Sequence, residues 1–537
     1  MSLRNRLVLP IILFSLVVLS GCGSGSGVTI PVGPPSGSFS NSDLNGTYVF
    51  SVTGSDFNYA FLTTVGTLTA NGSGGITGGT VDMNDPTFSA PVIGQPITGG
   101  TYTITSDGRG QATLTTSTPF GSSIAVDFVL TSNSHGLITE FDGNGTGSGT
   151  LDLQSAVTQG QITGSYAFNI TGISSINTTT GAQPTLATVG AFTLDGSGNI
   201  TSGVEDFNNG GISIGETDLT ITSGSVSLAT VPGTASLTTT IGGAPITYTF
   251  DVYPVDSTHL KFIGTDSFPI FVGDVFTQSS SIPTTNVFTV AGIDLGLQGP
   301  FTAAGLIVTD GTSAITSAST EDINDAGSPF QVTSFSGTYT ALSGGRSVLT
   351  LNGFANGTSG STGNYQFAAY PSSGGLQLLE IDNGGITDGI AYPQTSTTVT
   401  SGQGYGFNLT GINTNGEEDD IAEFTNSSGT FTGIVDSSDQ TPQGILSSLD
   451  QKFVSAYTAD TTINGRGVIT ATTNAFNLVT YTVDASTSVF VEVDSGQVGL
   501  GSFGQQTPTA KSNVAAMHLA ALHVRTGAKS ALRRKQK

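Results

Sequence analysis

The 537-residue chain carries 14 Lys and Arg against 38 Asp and Glu, a formal charge of −24, with 75 glycines, no tryptophan and one cysteine. A single cysteine excludes intrachain disulfides and thiolate metal sites, and so acidic a body repels phosphate backbones, which excludes nucleic acid as its partner. Between the N-terminal Arg4 and Arg6 and the seven basic residues from Lys511 onward, only Arg109, Lys261, Arg346, Lys452 and Arg466 are basic.

At the N-terminus, Arg4 and Arg6 precede an apolar run from Leu7 to Leu19 and then Ser20-Gly21-Cys22. A positive start, a short apolar run and small residues before a cut read as a secretory signal. The run has about 13 residues, whereas a membrane-spanning helix needs about 20. Leu19-Ser20-Gly21-Cys22 resembles the lipobox of bacterial lipoproteins. The resemblance implies removal of residues 1–21 as a lipoprotein signal peptide and lipidation of Cys22. The N-terminal lipid would hold the protein to a membrane of the cell envelope. No Asp follows Cys22, which by the same resemblance fits the outer membrane or cell surface. Residues 22–42, rich in Gly, Ser and Pro, read as a flexible tether.

Four copies of one unit follow, over 43–159, 160–281, 282–400 and 401–509. They open with "GTYVFSVTG", "GSYAFNITG", "TNVFTVAG" and "GYGFNLTG". Their shared phenylalanines, Phe50, Phe168, Phe288 and Phe407, are 118, 120 and 119 residues apart (168−50, 288−168, 407−288). Apolar residues alternate with small or polar ones in these segments, the pattern of a strand with one buried face. Unit one reads as eight strands: Thr47–Val52, Leu62–Thr69, Gly75–Asp82, Gly100–Thr105, Gln111–Thr116, Ile124–Leu130, Leu137–Phe141 and Thr150–Leu153. Gly, Asn, Asp and Ser at almost every join suit hairpin turns.

The expected fold class is therefore all-β, with four tandem antiparallel β domains of about eight strands each. An up-and-down barrel is favoured over a sandwich because closure removes exposed edges. The Gly-[Thr/Ser]-Tyr openings resemble the Gly-x-Trp start of lipocalin-type barrels, with Tyr replacing Trp. The whole chain is similar to multi-repeat Gly/Thr-rich lipoproteins of bacterial surfaces, a resemblance that implies no activity. Gln154, Gln278, Gln394 and Gln505 close the copies. The Ser/Thr/Gly-rich joins at 155–161, 279–285 and 395–403 are the expected first sites of proteolysis.

Three recurring features bear on chemistry. Asp82, Asn84 and Asp85 in "VDMND" recur as Asp206 and Asn208 in "EDFNN", as Asp322, Asn324 and Asp325 in "EDIND", and as Asp436 and Asp439 in "VDSSD". Clustered hard oxygen donors suit calcium, the one candidate cofactor; the competing reading is a local Asx turn. Glu-x-Asp recurs as Glu140/Asp142, Glu380/Asp382 and Glu492/Asp494, with Gly264 at the Glu position of unit two. Carboxylates two apart on a strand lie near the spacing of inverting glycosidases, but Phe141, Ile381 and Val493 between them are expected to face the core and leave the acids to solvent. His135 and His259 are expected in exposed turns. Arg109, Arg346 and Arg466 share one turn, absent from unit two. No nucleophile–base spacing or phosphate loop recurs, so no catalytic residue is named.

The basic tail, 510–537, could form a helix interrupted at Gly527. The reading that follows is a lipid-anchored adhesion or scaffold element of the cell envelope, not an enzyme, whose partner is a cell-surface polymer or glycan. The alternative is an array of barrels that bind small molecules or glycans, and a glycan hydrolase is least supported. Filled barrel interiors would favour the first reading and roomy ones the second.

Overall fold

The structure is a computed structural model that describes residues 38–177, 182–209, 216–295, 299–355, 362–473 and 476–508. Cys22 and the tail 510–537 lie outside the described residues. The described chain is almost entirely antiparallel strand, folded into four barrels. In each barrel, consecutive strands pair and the first strand also pairs with the last. Asn45–Asp56 bonds both Phe61–Asn71 and Gly145–Leu153. Gly164–Ile173 bonds Thr185–Leu194 and Ile270–Thr277. Thr285–Asp294 bonds Gly299–Val308 and Gly385–Pro393, and Gly404–Asn413 bonds Glu417–Ser427 and Gln497–Gln505. These are up-and-down barrels, not sandwiches. In barrel 1 the fourth strand is split into Val92–Ile97 and Gly99–Ile104. The first piece was not foreseen because Gly94 and Pro96 mask its strand character.

The repeating phenylalanine has a cross-strand reason. Phe50, Phe168 and Phe288 lie opposite Gly66, Gly190 and Gly305, and Phe407 opposite Ala422. Each ring covers the pleat position where the glycine has no side chain; a Cβ on Gly190 would fall 2.5 Å from Cζ of Phe168. An aromatic covering a strand glycine holds sheet curvature without leaving a void. Around these rings the inward residues of every strand form one apolar core per barrel.

The outward face of the early strands is buried as well, which the alternation did not foretell. Strands one to three of each barrel pack against late strands of the next, in the order 1 to 2, 2 to 3 and 3 to 4, and barrel 4 packs in the same way against barrel 1. The four barrels thus form a closed head-to-tail ring, the intramolecular form of a heterologous interface whose rotation closes. Small outward residues such as Ala167, Ala187 and Ala191 let barrels 2 and 3 approach closely, facing Ala368, Tyr370 and Leu379.

The joins between barrels follow the same rule. The backbone N–H of Ser155 donates to Val255, that of Ser279 to Pro371 and that of Thr395 to Val483, at 2.8, 3.0 and 2.7 Å. After the last barrel, Thr507 makes the equivalent bond back to Thr131 at 2.7 Å.

Candidate functional site

The recurrent polar residues of the sequence meet at the junctions. Strand alternation sends the first Asp and the Asn of each Asp-x-Asn motif outward, toward the next barrel, and the residue after the Asn inward. Asp206 of barrel 2 receives a forked pair from Arg346 of barrel 3, Nε to Oδ2 at 2.6 Å and Nη2 to Oδ1 at 2.5 Å, and the Tyr370 hydroxyl donates at 2.6 Å. Asp322 repeats this with Arg466 at 2.7 Å twice and Tyr481 at 2.5 Å. Asp436 of barrel 4 binds Arg109 of barrel 1 at 3.0 Å, and Asp450 adds a second carboxylate at 2.9 Å. The arginine turn seen three times in the sequence is therefore the cationic half of a junction lock. Planar forked pairs of this kind fix orientation as well as charge.

The asparagines tie backbones. Asn84 Nδ2 donates to the carbonyls of Gly264 and Asp266 at 3.0 and 2.8 Å. Asn208 reaches Glu380 and Gly385 at 2.8 and 3.1 Å, and Asn324 reaches Glu492, Asp494 and Gln497 at 2.9, 3.2 and 2.7 Å. The closing glutamines cross the junction too: Gln154 donates to Pro254, Gln278 to Gly344 and Gln394 to Thr482. In the fourth copy the equivalent residue is Gln506, which reaches Asp107 and Leu130 of barrel 1, and not Gln505. The Gln-Gln doublet hid a one-residue register difference that the backbone bond from Gln506 to Gly404 resolves.

The motif is thus divided between two faces of its strand. Asp85 turns inward and accepts the Thr87 N–H and hydroxyl at 2.6 Å each, an Asx turn. Asp325 is buried and Asp439 half-buried. Among the described residues no three His, Cys, Asp or Glu side chains are placed to hold a metal ion together.

Two expectations about exposure are corrected. Glu140, Glu380 and Glu492 are fully buried at the ends of the barrel interiors, while Phe141, Ile381 and Val493 are only partly covered. Burial pushes all three glutamates well above the usual carboxylate range, and neighbouring acids (Asp142, Asp382, and for Glu492 Glu418 and Asp494) push further. His135 and His259 are buried, not exposed. Each ring bonds an aspartate, Asp152 at 2.7 Å and Asp274 at 2.5 Å, and Lys261 spans the first junction from Asp274 (3.1 Å) to Thr150 of barrel 1 (2.9 Å). Burial opposes ionisation of Asp152, but His135 and Lys261 hold it down to about 2. Four of the five basic residues in the body are therefore junction residues.

The interiors of barrels 3 and 4 are filled. The cavity inside barrel 4, among Phe407, Phe424, Phe431 and Phe476, has a volume of about 20 Å³, and the corresponding space in barrel 3 about 0 Å³. Small-molecule sites occupy about 300–1,000 Å³.

No family model matches the chain, and no curated protein is similar to it. Among solved structures, a transferrin binding protein B double mutant from Haemophilus parasuis Hp5 is similar at 12% identity and a TM-score of 0.19, over 72% of this chain and 84% of that one. A single mutant of the same protein gives 9% and 0.16, over 72% and 83%. The intact Ap-TbpB, with N and C lobes, gives 10% and 0.17, over 70% and 84%. At these TM-scores the whole chains do not superpose, and the likeness supports no functional conclusion.

Proposed function

We propose that this chain is a non-enzymatic scaffold or adhesion element of the cell envelope, held by a lipid on Cys22 and presenting a ring of four barrels to cell-surface polymers or glycans. The filled interiors of barrels 3 and 4 carry this reading. With about 20 Å³ in barrel 4 and about 0 Å³ in barrel 3, neither offers the volume that a small-molecule array needs. The recurrent acids, amides and arginines are spent on holding barrel to barrel. What is left to vary between copies is the loops, and four loop sets on one frame would combine weak contacts into useful avidity.

The test uses the lipidated protein in envelope fractions and on whole cells. Replacing Cys22 with Ala should release it from membranes, and a strain expressing that variant should lose cell–cell or cell–polymer cohesion while the secreted ring stays folded. Cohesion unchanged by release would refute the role. Turnover of a glycan by the wild type, lost in Glu380→Gln, would replace it with a hydrolase.

A further inference from the structure

The junction between barrels 1 and 2 departs from the other three at the residue that meets the motif aspartate. At the other three junctions an arginine of the following barrel meets the motif aspartate. In barrel 2 that arginine position is Pro232, in "TVPGT" where the other copies read "DGRGQ", "GGRSV" and "NGRGV", and the strand register beside Tyr253 agrees with that of Arg466 beside Tyr481. Gly94 replaces the second acid: its N–H donates to Asp82 Oδ1 as Asp218 and Asp450 donate to Asp206 and Asp436. A Cβ on Gly94 would lie 3.9 Å from Pro232 Cδ, so a Gly–Pro pair stands where Asp450 and Arg109 meet at the ring-closing junction.

The anionic half is retained and enlarged. Asp82 is 2% exposed, Asp251 5% and Tyr253 1%; Asp82 lies within reach of Asp251 and Tyr253, but no group outside these three hydrogen-bonds Asp82 Oδ2, Asp251 Oδ2 or the Tyr253 hydroxyl. Asp251 and Tyr253 face Asp82 across the junction. Neither carboxylate forms an ion pair among the described residues, and Lys261 of the same junction is engaged with Asp274 and Thr150. Buried carboxylates are costly unless paired. A cavity of about 240 Å³ opens beside them, lined by Thr67, Gln154, Pro232, Val252, Tyr253 and Pro254. Tyr253 belongs to both the cavity wall and the acidic group.

We propose that Asp82, Asp251 and Tyr253 bind a guanidinium group supplied from outside the junction, entering past Pro232 and taking the place that Arg346 and Arg466 fill elsewhere. The donor inventory favours guanidinium over a metal ion. Asp82, Asp251 and Tyr253 together offer at most four carboxylate oxygens and a phenol, one of the oxygens shared with the Gly94 N–H, fewer than calcium's six to eight ligands. Two parallel N–H donors match the paired oxygens of Asp82 as they do those of Asp206 and Asp322; at Asp206 the oxygen that takes a backbone N–H also accepts the guanidinium. The group could arrive on a free guanidino compound or on an arginine side chain of a partner protein. This inference does not depend on the adhesion reading.

Thermal melts of the mature chain test it, with 10 mM methylguanidinium chloride against tetramethylammonium chloride and calcium chloride at matched ionic strength. Methylguanidinium alone should raise the melting temperature by about 1–2 °C. That rise should vanish in Asp82→Asn and in Asp251→Asn. Pro232→Arg, which restores the side chain of the other copies, should raise the melting temperature without ligand and abolish the response. An acetylated, amidated arginine peptide separates the sources: a larger shift than methylguanidinium points to a partner's side chain, an equal or smaller one to a free compound. No shift with either probe, a shift retained in Asp82→Asn, or a response to calcium in place of guanidinium would overturn the proposal.

Discussion

A forked guanidinium on a buried carboxylate is worth most when only one half is removed. Arg346→Ala leaves Asp206 buried beside Tyr370 without its cation, and truncating one partner of a buried pair costs about 3–5 kcal/mol. We expect Arg346→Met with Asp206→Leu together to recover most of that loss, measured as a double-mutant cycle by denaturant unfolding; a double variant as unstable as the sum would refute the coupling. The Phe–Gly pairs make a second residue-scale prediction. Gly190→Val places side-chain atoms where the Phe168 ring and the Val204 carbonyl already sit, at 2.5 and 2.6 Å from a Cβ, and should cost about 1–3 kcal/mol by overpacking. Ala at the same pleat position is native in barrel 4, as Ala422. Gly190→Ala combined with Phe168→Leu should therefore be milder than Gly190→Val.

Among the elements, the four junctions are not equal. Barrels 1 and 2 share Val49, Phe61, Val65, Ile263, Ile270 and Val272, and barrels 3 and 4 a comparable apolar group around Leu306, Ile390, Val489 and Val491. Among the described residues, the apolar cluster of the ring-closing junction is Val129, Leu137 and Ile421. Polar bonds replace apolar area there: Asp419 accepts from Thr146 and Ser148 at 2.8 and 2.7 Å, and Ser55 donates to Glu417 at 2.5 Å. A single cut within 279–285 leaves each half joined to the other through two junctions. The nicked protein should elute as one particle under native conditions and separate only in denaturant; separation on nicking alone would mean the ring is not closed in solution. Asp419→Ala should make the halves of nicked protein separate at lower denaturant than wild type, because it strips two bonds from the junction with least apolar support.

Across the whole molecule, buried acids make stability fall with rising pH. Burial lifts Asp85 to about 6 and Glu205 and Asp127 to about 7. Glu423 rises to about 8, and Glu140, Glu380 and Glu492 go well above their usual value of 4.5. A carboxyl whose folded pKa exceeds its unfolded one binds its proton more tightly when folded. Its contribution is complete below the unfolded value and is lost as pH climbs through the folded one. Asp152, held near 2, works oppositely and loses its contribution only as pH falls toward that value. The melting temperature should therefore peak at about pH 4–5 and decline steadily to about pH 8.5. Glu492→Gln, which removes an ionisable group with neither carboxyl oxygen hydrogen-bonded, should flatten the decline; a flat or rising profile in wild type would contradict the argument.

The sequence by itself determined the copies and their all-β character, because period-two alternation, turn residues and a recurring Phe are properties of contiguous chain; it favoured a barrel over a sandwich, and the pairing of first strand with last decided it. It also displayed the motif aspartates and the arginine turns of the junctions in register without revealing what any of them meets. Arg346 and Asp206 are 140 residues apart and Gln506 and Asp107 are 399 apart, so no local spacing links them. The one readable hint was the arginine missing from unit two, which has meaning only beside an aspartate of the preceding barrel. The tertiary structure decided which carboxylates are buried. Glu140 and its counterparts follow the alternation of their strand into the interior, and His135 and His259 find aspartates on the neighbouring strand. Whether a face is solvent or interface depends on the next barrel, and ring closure gives every barrel a next one.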